Sequence, residues 1–286
     1  MSVLVFGSLN LDLVTYADKL PAIGETIVGE KLLKFPGGKG LNQAIAARRA
    51  GSEVLMVGSI GNDLDGDFLF DILKSENINH KFITKTSEQT GIAVIEVSKS
   101  GENRIIIIAG ANSKTKFSDE VLTSSPLVTV SLAQLETPII EVAKFIQKSK
   151  AAGKITILNP APIQKLDQQL LQDTDYLIAN ETEASFLIGS AVEHLSKDEA
   201  LTIARQLQKN GSKKVKPSVK NPLRPNRGME RVQLTVEFAR LDEEARLPTQ
   251  GSSQAAGWDL YALEETVVVP RQSSMLRPGL AVAIPA

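Results

Sequence analysis

Short apolar runs alternate with longer amphipathic segments over the first 215 residues. Val3-Leu4-Val5-Phe6, Val54-Leu55-Met56-Val57, Ile155-Thr156-Ile157-Leu158 and Tyr176-Leu177-Ile178 read as strands buried on both faces, as in a parallel sheet. From Pro138 to Ala152, apolar residues recur at Ile140, Val142-Ala143 and Phe145-Ile146, and Gly153 stands where a helix would stop. Ser196-Lys197-Asp198-Glu199 has the form of a capping box, followed by an apolar face of Ala200, Ile203-Ala204 and Leu207. Strand and helix in turn predict a doubly wound α/β domain. Two regions, Leu11 to Phe35 and Gly91 to Ile108, break the rhythm and suit antiparallel strands that leave the main sheet as a flap over a site.

The pattern changes after Lys209. Lys209, Lys213, Lys214, Lys216, Lys220, Arg224 and Arg227 come without an acidic residue and with Pro217, Pro222 and Pro225, which bar both a helix and a central strand. Residues 216–228 therefore read as a basic, proline-rich linker, a solvated tether rather than a nucleic-acid arm. Beyond it Val232, Leu234, Val236 and Phe238 alternate with polar residues, and Thr266 to Val269 and Leu280 to Ile284 add β-like runs. An all-β segment over 229–286 follows the α/β segment over 1–215.

Composition narrows the chemistry. The formal charge of -1 excludes a whole-chain attraction to nucleic acid or anionic membrane. With no cysteine there are no disulfides, thiolate metal sites or cysteine nucleophiles, and His80 and His194, the only imidazoles, read as surface residues. The start lacks a signal peptide and no apolar run approaches the ~20 residues that span a bilayer, so a soluble cytoplasmic protein is expected.

Candidate site residues cluster at strand ends. Gly7-Ser8-Leu9-Asn10-Leu11-Asp12 closes the first strand, where ligands of open α/β sheets bind, and Asn10 and Asp12 can each hydrogen-bond sugar hydroxyls. Pro36-Gly37-Gly38-Lys39-Gly40-Leu41-Asn42-Gln43 places a glycine turn ahead of a helix, which lets backbone N–H groups approach a ligand, though a plain loop would look the same.

Together these stretches resemble the ribokinase branch of the PfkB sugar-kinase family. GSLNLD, PAIGET, FPGGKGLNQA, GNDLDG (Gly61 to Gly66), AGAN (Ala109 to Asn112), QLETP (Gln134 to Pro138), NPAP (Asn159 to Pro162) and NETEA (Asn180 to Ala184) occur in family order. The resemblance implies a ribokinase-like doubly wound sheet with a small β lid, and ATP-dependent phosphorylation of ribose with Mg²⁺ and K⁺. It implies that Asn10, Asp12, Gly38, Lys39, Asn42 and Glu136 line the ribose pocket and that Asn180 and Glu183 help position magnesium and phosphate. It also implies a homodimer through the lid. Asn180 by itself would read as a helix N-cap.

The family's base and anion hole come from a Gly-Ala-Gly-Asp motif in the last third of the chain, with the ATP-contacting segments. Here the resemblance runs out at Lys213-Lys214-Val215, so the domain is expected to be truncated on its C-terminal side. Ala255-Ala256-Gly257-Trp258-Asp259 differs from that motif by an inserted tryptophan, which would turn the aspartate by ~100° on a helix. Asp259 is a candidate base. Residues 229–286 instead resemble the beginning of a trimeric dUTPase, with Asp259 as its first-motif aspartate beside magnesium and triphosphate, and with the later dUTPase motifs missing. Three readings follow: an impaired ribokinase-type enzyme, a sugar-binding remnant, and a chimeric fusion of two fragments.

Overall fold

The computed structural model describes residues 2–189, 203, 205–207, 214–217, 237–240 and 280–283, and the chain divides into two compact units, Met1–Asn226 and Arg227–Ala286. In the first unit β1 (Ser2–Phe6) is followed by β2 (Asn10–Ala17), β3 (Lys31–Gly37), α1 (Lys39–Arg49), β4 (Glu53–Gly61) and α2 (Leu64–Ser75). Next come β5 (Asn79–Thr86), β6 (Gly91–Ser98), β7 (Asn103–Ile108), a 3-10 turn (Gly110–Lys114), α3 (Glu120–Thr123) and β8 (Val130–Ala133). The unit continues with α4 (Ile139–Ala151), β9 (Ile155–Leu158), α5 (Gln168–Gln172), β10 (Tyr176–Ala179), α6 (Glu181–Leu187) and β11 (Lys214–Pro217).

The main sheet runs β11-β10-β9-β8-β1-β4-β5 with every pairing parallel. From β1 the chain adds β4 and β5 on one side, then β8 to β11 on the other, so the order reverses between β1 and β8. In such sheets a crevice opens at the reversal, beyond the carboxyl ends of the strands. Burial on both faces explains the apolar runs of β1 and β4, whereas β9 and β10, expected to be buried on both faces, alternate buried positions with half-buried or exposed ones. Leu4 and Phe6 of β1 pack with Phe145, Ile146, Leu158 and Leu177, while Val3 and Val5 pack with Leu41, Met56, Leu69 and Leu73 on the other face. Phe6 stacks on Phe145 of α4 with ring centroids 5.2 Å apart.

The predicted flap is a second sheet, β3-β2-β6-β7. Its two hairpins are antiparallel as expected, but the pair that joins them is parallel, from Asn10 opposite Gly91 to Ala17 opposite Ser98. Both hairpins leave the body from the same end, so their first strands run the same way.

The linker expected from residue 216 begins too early. Lys216 and Pro217 belong to β11, which pairs with β10 at the sheet edge, where a proline that cannot donate to a further strand is tolerated. In the second unit, β12 (Glu237–Arg240) pairs antiparallel with β13 (Leu280–Ala283), Phe238 opposite Val282. Val232 to Val236, Thr266 to Val269, His194, the capping box at Ser196 and Asp259 lie outside the described residues. Among the described residues no helix is long and apolar enough to cross a membrane.

Candidate functional site

Three loops converge where the strand order reverses: the turn after β1, the start of α1 and the turn after β8. Their close approach depends on two glycines. Gly38 has φ +90, and a Cβ there would lie 2.8 Å from the backbone nitrogen of Asn10. A Cβ on Gly40 would lie 2.5 Å from the nitrogen of Ser8 and 2.6 Å from the carbonyl carbon of Gly7. With neither side chain present, α1 docks onto the end of β1, and the Leu41 N–H donates to the Ser8 carbonyl at 2.9 Å.

Glu136 closes this junction. Its side chain is only 5% exposed, and its Oε2 accepts from the Ser8 hydroxyl at 2.5 Å and from the Lys39 N–H at 3.0 Å. Its Oε1 lies 3.6 Å from the Lys39 ammonium. Gly38, the N-cap of α1, makes no side-chain cap, so a carboxylate from the turn after β8 fills that place against the positive end of the helix. The Ser8 hydroxyl in turn accepts from the Gly40 N–H at 3.3 Å.

Asp12 completes the acidic side. Burial pushes its carboxyl up to about 6, the Glu136 charge adds to the rise, and Lys39 partly offsets it. Asn10 is buried at the start of β2, and its Oδ1 accepts from Asn112 Nδ2 at 2.7 Å. The structure thus brings Asn10, Asp12, Gly38, Lys39 and Glu136 to one place. Asn42 lies on the same turn of α1, exposed, with its backbone N–H bonded to the Gly38 carbonyl at 2.9 Å.

Asn180 and Glu183 stand at the end of β10 and form a reciprocal cap on α6. Asn180 Oδ1 accepts from the Glu183 N–H at 2.8 Å, while Glu183 Oε2 accepts from the Asn180 N–H at 2.9 Å and its Oε1 from Asn180 Nδ2 at 2.8 Å. The helix-start reading of this motif is therefore realised. An amide relay reaches toward it from the neighbourhood of Glu136: Gln134 donates to Gln43 at 2.5 Å, Gln43 to Asn159 at 3.2 Å, and Asn159 to the Ile178 carbonyl at 3.0 Å.

Ser8, Gln43, Asn112 and Gln134 do not stand out as site residues in the sequence. Ser8 and Gln134 are fully buried polar residues beside the end of a strand, and each lies close to a glycine or carboxylate that does stand out. Their sequence signal is proximity to a motif; the partners Glu136 and Gln43 lie more than 90 residues away, beyond any periodicity.

Comparison with known proteins fixes the lineage. The pfkB family carbohydrate kinase profile matches residues 1–217. The chain is 37% identical over 206 residues to the bifunctional ribokinase/ribose-5-phosphate isomerase A of Fructilactobacillus sanfranciscensis, a match over 71% of this chain and 37% of that protein. It is 37% identical over 204 residues to the ribokinase of Staphylococcus aureus, covering 69% of this chain and 67% of that one. The chain thus spans about two thirds or less of these relatives' lengths. The solved Arabidopsis thaliana ribokinase complexed with ribose and ATP superposes with a TM-score of 0.69 at 29% identity, over 76% of this chain and 72% of that chain. On sequence and on fold alike, the chain belongs to the pfkB family of carbohydrate kinases.

Proposed function

We propose that residues 1–217 form a sugar-acceptor domain of ribokinase type that binds ribose, and that phosphoryl transfer from ATP is impaired because residues 218–286 carry no Gly-Ala-Gly-Asp base. The observation that carries this reading is the junction of Glu136, Ser8, Lys39 and Asp12 where the strand order reverses: two carboxylates to accept sugar hydroxyls, beside a cation and a helix N-terminus. Asn10, Gly38 and Asn42 complete the pocket.

Both Glu183 oxygens are engaged by Asn180, so this pair suits Mg²⁺ held through waters rather than by direct ligation. When bound, Mg²⁺ with ATP supplies the phosphoryl group and neutralises its charge, with K⁺ as a further cofactor. The chain's own share is to hold the acceptor and orient its hydroxyls. Titration calorimetry with ribose should detect binding, and ribose-dependent ADP formation with Mg²⁺ and K⁺ should run at least about a hundredfold below that of a complete ribokinase. Absence of ribose binding by folded protein would sink the reading. Full turnover that disappears in Asp259→Asn would assign the base to Asp259.

A second reading concerns residues 229–286, beyond the basic, proline-rich stretch that follows β11: a partial dUTPase-like segment fused to the kinase-like domain. The antiparallel pairing of β12 with β13 favours a β segment there.

The lid supports self-association. Leu32, Leu33 and Phe35 on β3 and Ile105 to Ile108 on β7 are exposed, a concentration of apolar side chains that monomers rarely leave in water. We expect a homodimer through the lid in sedimentation velocity, and Ile106→Lys to shift it to monomer. An unchanged sedimentation coefficient would remove the lid from the interface.

A further inference from the structure

We propose that Asn112 is a positioning residue for sugar recognition: it fixes the amide of Asn10 so that this side chain meets the sugar as a hydrogen-bond donor. The proposal rests on the ribose-binding reading above. Asn112 is almost fully buried in the 3-10 turn that follows β7, at the root of the lid. Its Oδ1 accepts from the Leu9 N–H at 2.9 Å and its Nδ2 donates to the Leu9 carbonyl at 3.0 Å. A backbone N–H can only donate and a carbonyl can only accept, so the Leu9 peptide groups decide which end of the Asn112 amide is oxygen.

That decision passes to Asn10. Asn112 Nδ2 donates its second hydrogen to Asn10 Oδ1 at 2.7 Å, which commits the oxygen of Asn10 and leaves its Nδ2 without a partner among the described residues. Asn10 and Asp12, two apart on β2, lie on one face of the strand. The pocket therefore offers a directed NH₂ donor beside carboxylate acceptors. A single hydroxyl can donate to Asp12 and accept from Asn10. Gly91 is part of the device: a Cβ there would lie 2.2 Å from Asn112 Nδ2 and 2.4 Å from Asn10 Oδ1, in the space this hydrogen bond fills.

A double-mutant cycle read by ribose calorimetry tests the assignment. In Asn112→Asp the carboxylate still accepts from Leu9 but gives nothing to Asn10, whose amide must turn to donate inward. Ribose affinity should fall about tenfold. In an Asn10→Ala background the same substitution should change affinity by less than about twofold, because the residue it acts through is gone. Equal losses in both backgrounds would show that Asn112 acts on the lid rather than on Asn10, and would overturn the proposal. Asn10→Asp is the variant to use should Asn112→Asp unfold, since its carboxylate still accepts from Asn112 while offering the sugar no donor. A loss of about tenfold is expected there as well, and unchanged affinity would overturn the proposal. Failure of the unsubstituted chain to bind ribose would overturn the sugar reading and this assignment together, whereas binding that ignores both substitutions overturns this assignment alone.

Discussion

Replacing Glu136 by glutamine should weaken ribose binding about a hundredfold, ~3 kcal/mol, while the protein remains folded. The carboxylate accepts from the Ser8 hydroxyl and the Lys39 N–H through one oxygen and faces the Lys39 ammonium with the other. Glutamine keeps the shape but must put an NH₂ at one of these positions. Toward the Lys39 N–H it sets donor against donor and takes the Ser8 hydroxyl's acceptor away; toward the ammonium it sets a donor against a cation. Neither orientation reproduces the network, and in a nearly buried site the mismatch is not relieved by water. Calorimetry with ribose, next to a thermal melt, separates loss of binding from loss of fold. Affinity within about twofold of the unsubstituted chain would remove Glu136 from the site.

The junction also shows which parts of the molecule can be read from sequence. β9 is legible residue for residue, and β1, β4 and β10 within a few residues: β1 and β4 leave apolar runs because both their faces are covered, while β9 and β10 keep short apolar runs although they alternate buried positions with half-buried or exposed ones. Helix α4 is legible between Pro138 and Gly153 through a period whose Val142, Phe145 and Ile146 form the buried face, with Ile140 exposed, and a glycine at φ +72 after it. β5 escapes notice: an edge strand, it alternates half-buried and exposed positions such as Asn79, Lys81 and Lys85 and has no apolar run.

The lid is legible as strands but not in its direction of pairing. Periodicity reports which residues face inward, and it is silent about whether β2 meets β6 parallel or antiparallel. Lys216 and Pro217 of β11 read as linker because, among the described strands, they belong to an edge, where the penalties that bar a proline from a central strand are absent.

The site divides in the same way. Asn10, Asp12, Gly38, Lys39 and Glu136 stand out through motifs, but what makes them one site is contacts across long stretches of chain. Glu136 serves as the cap that Gly38 lacks, and Asn112 fixes the amide of Asn10. Asn180 and Glu183 are paired by their i, i+3 spacing, which suits a capping box as well as a ligand site, so spacing alone does not choose between the two.

Asp12 yields the second large expectation, a substitution that stabilises the protein while impairing its site. The folded chain holds the Asp12 carboxyl at about 6, above its ordinary 3.8, so the folded state binds this proton more tightly than the unfolded state does. Stability from this group is therefore fully present below about pH 4 and is lost as pH rises through about 6, where the half-buried carboxylate must ionise beside Glu136. Solvent that reaches the group screens part of the cost, leaving about 1–2 kcal/mol at pH 7. Asp12→Asn removes that cost and should raise the melting temperature at pH 7.5 but not at pH 4. Ribose affinity should move the other way. In the unsubstituted chain it should rise with pH through about 6 as the acceptor ionises, and in Asp12→Asn it should be about tenfold weaker at pH 7.5 and flat across the range. Scanning calorimetry and ribose titrations at both pH values read the two effects. A gain in stability of equal size at both pH values would mean that the asparagine repairs packing rather than charge. Glu136→Gln supplies a cross-check, because with its neighbour's charge gone Asp12 should titrate lower and the pH at which stability falls should move down with it.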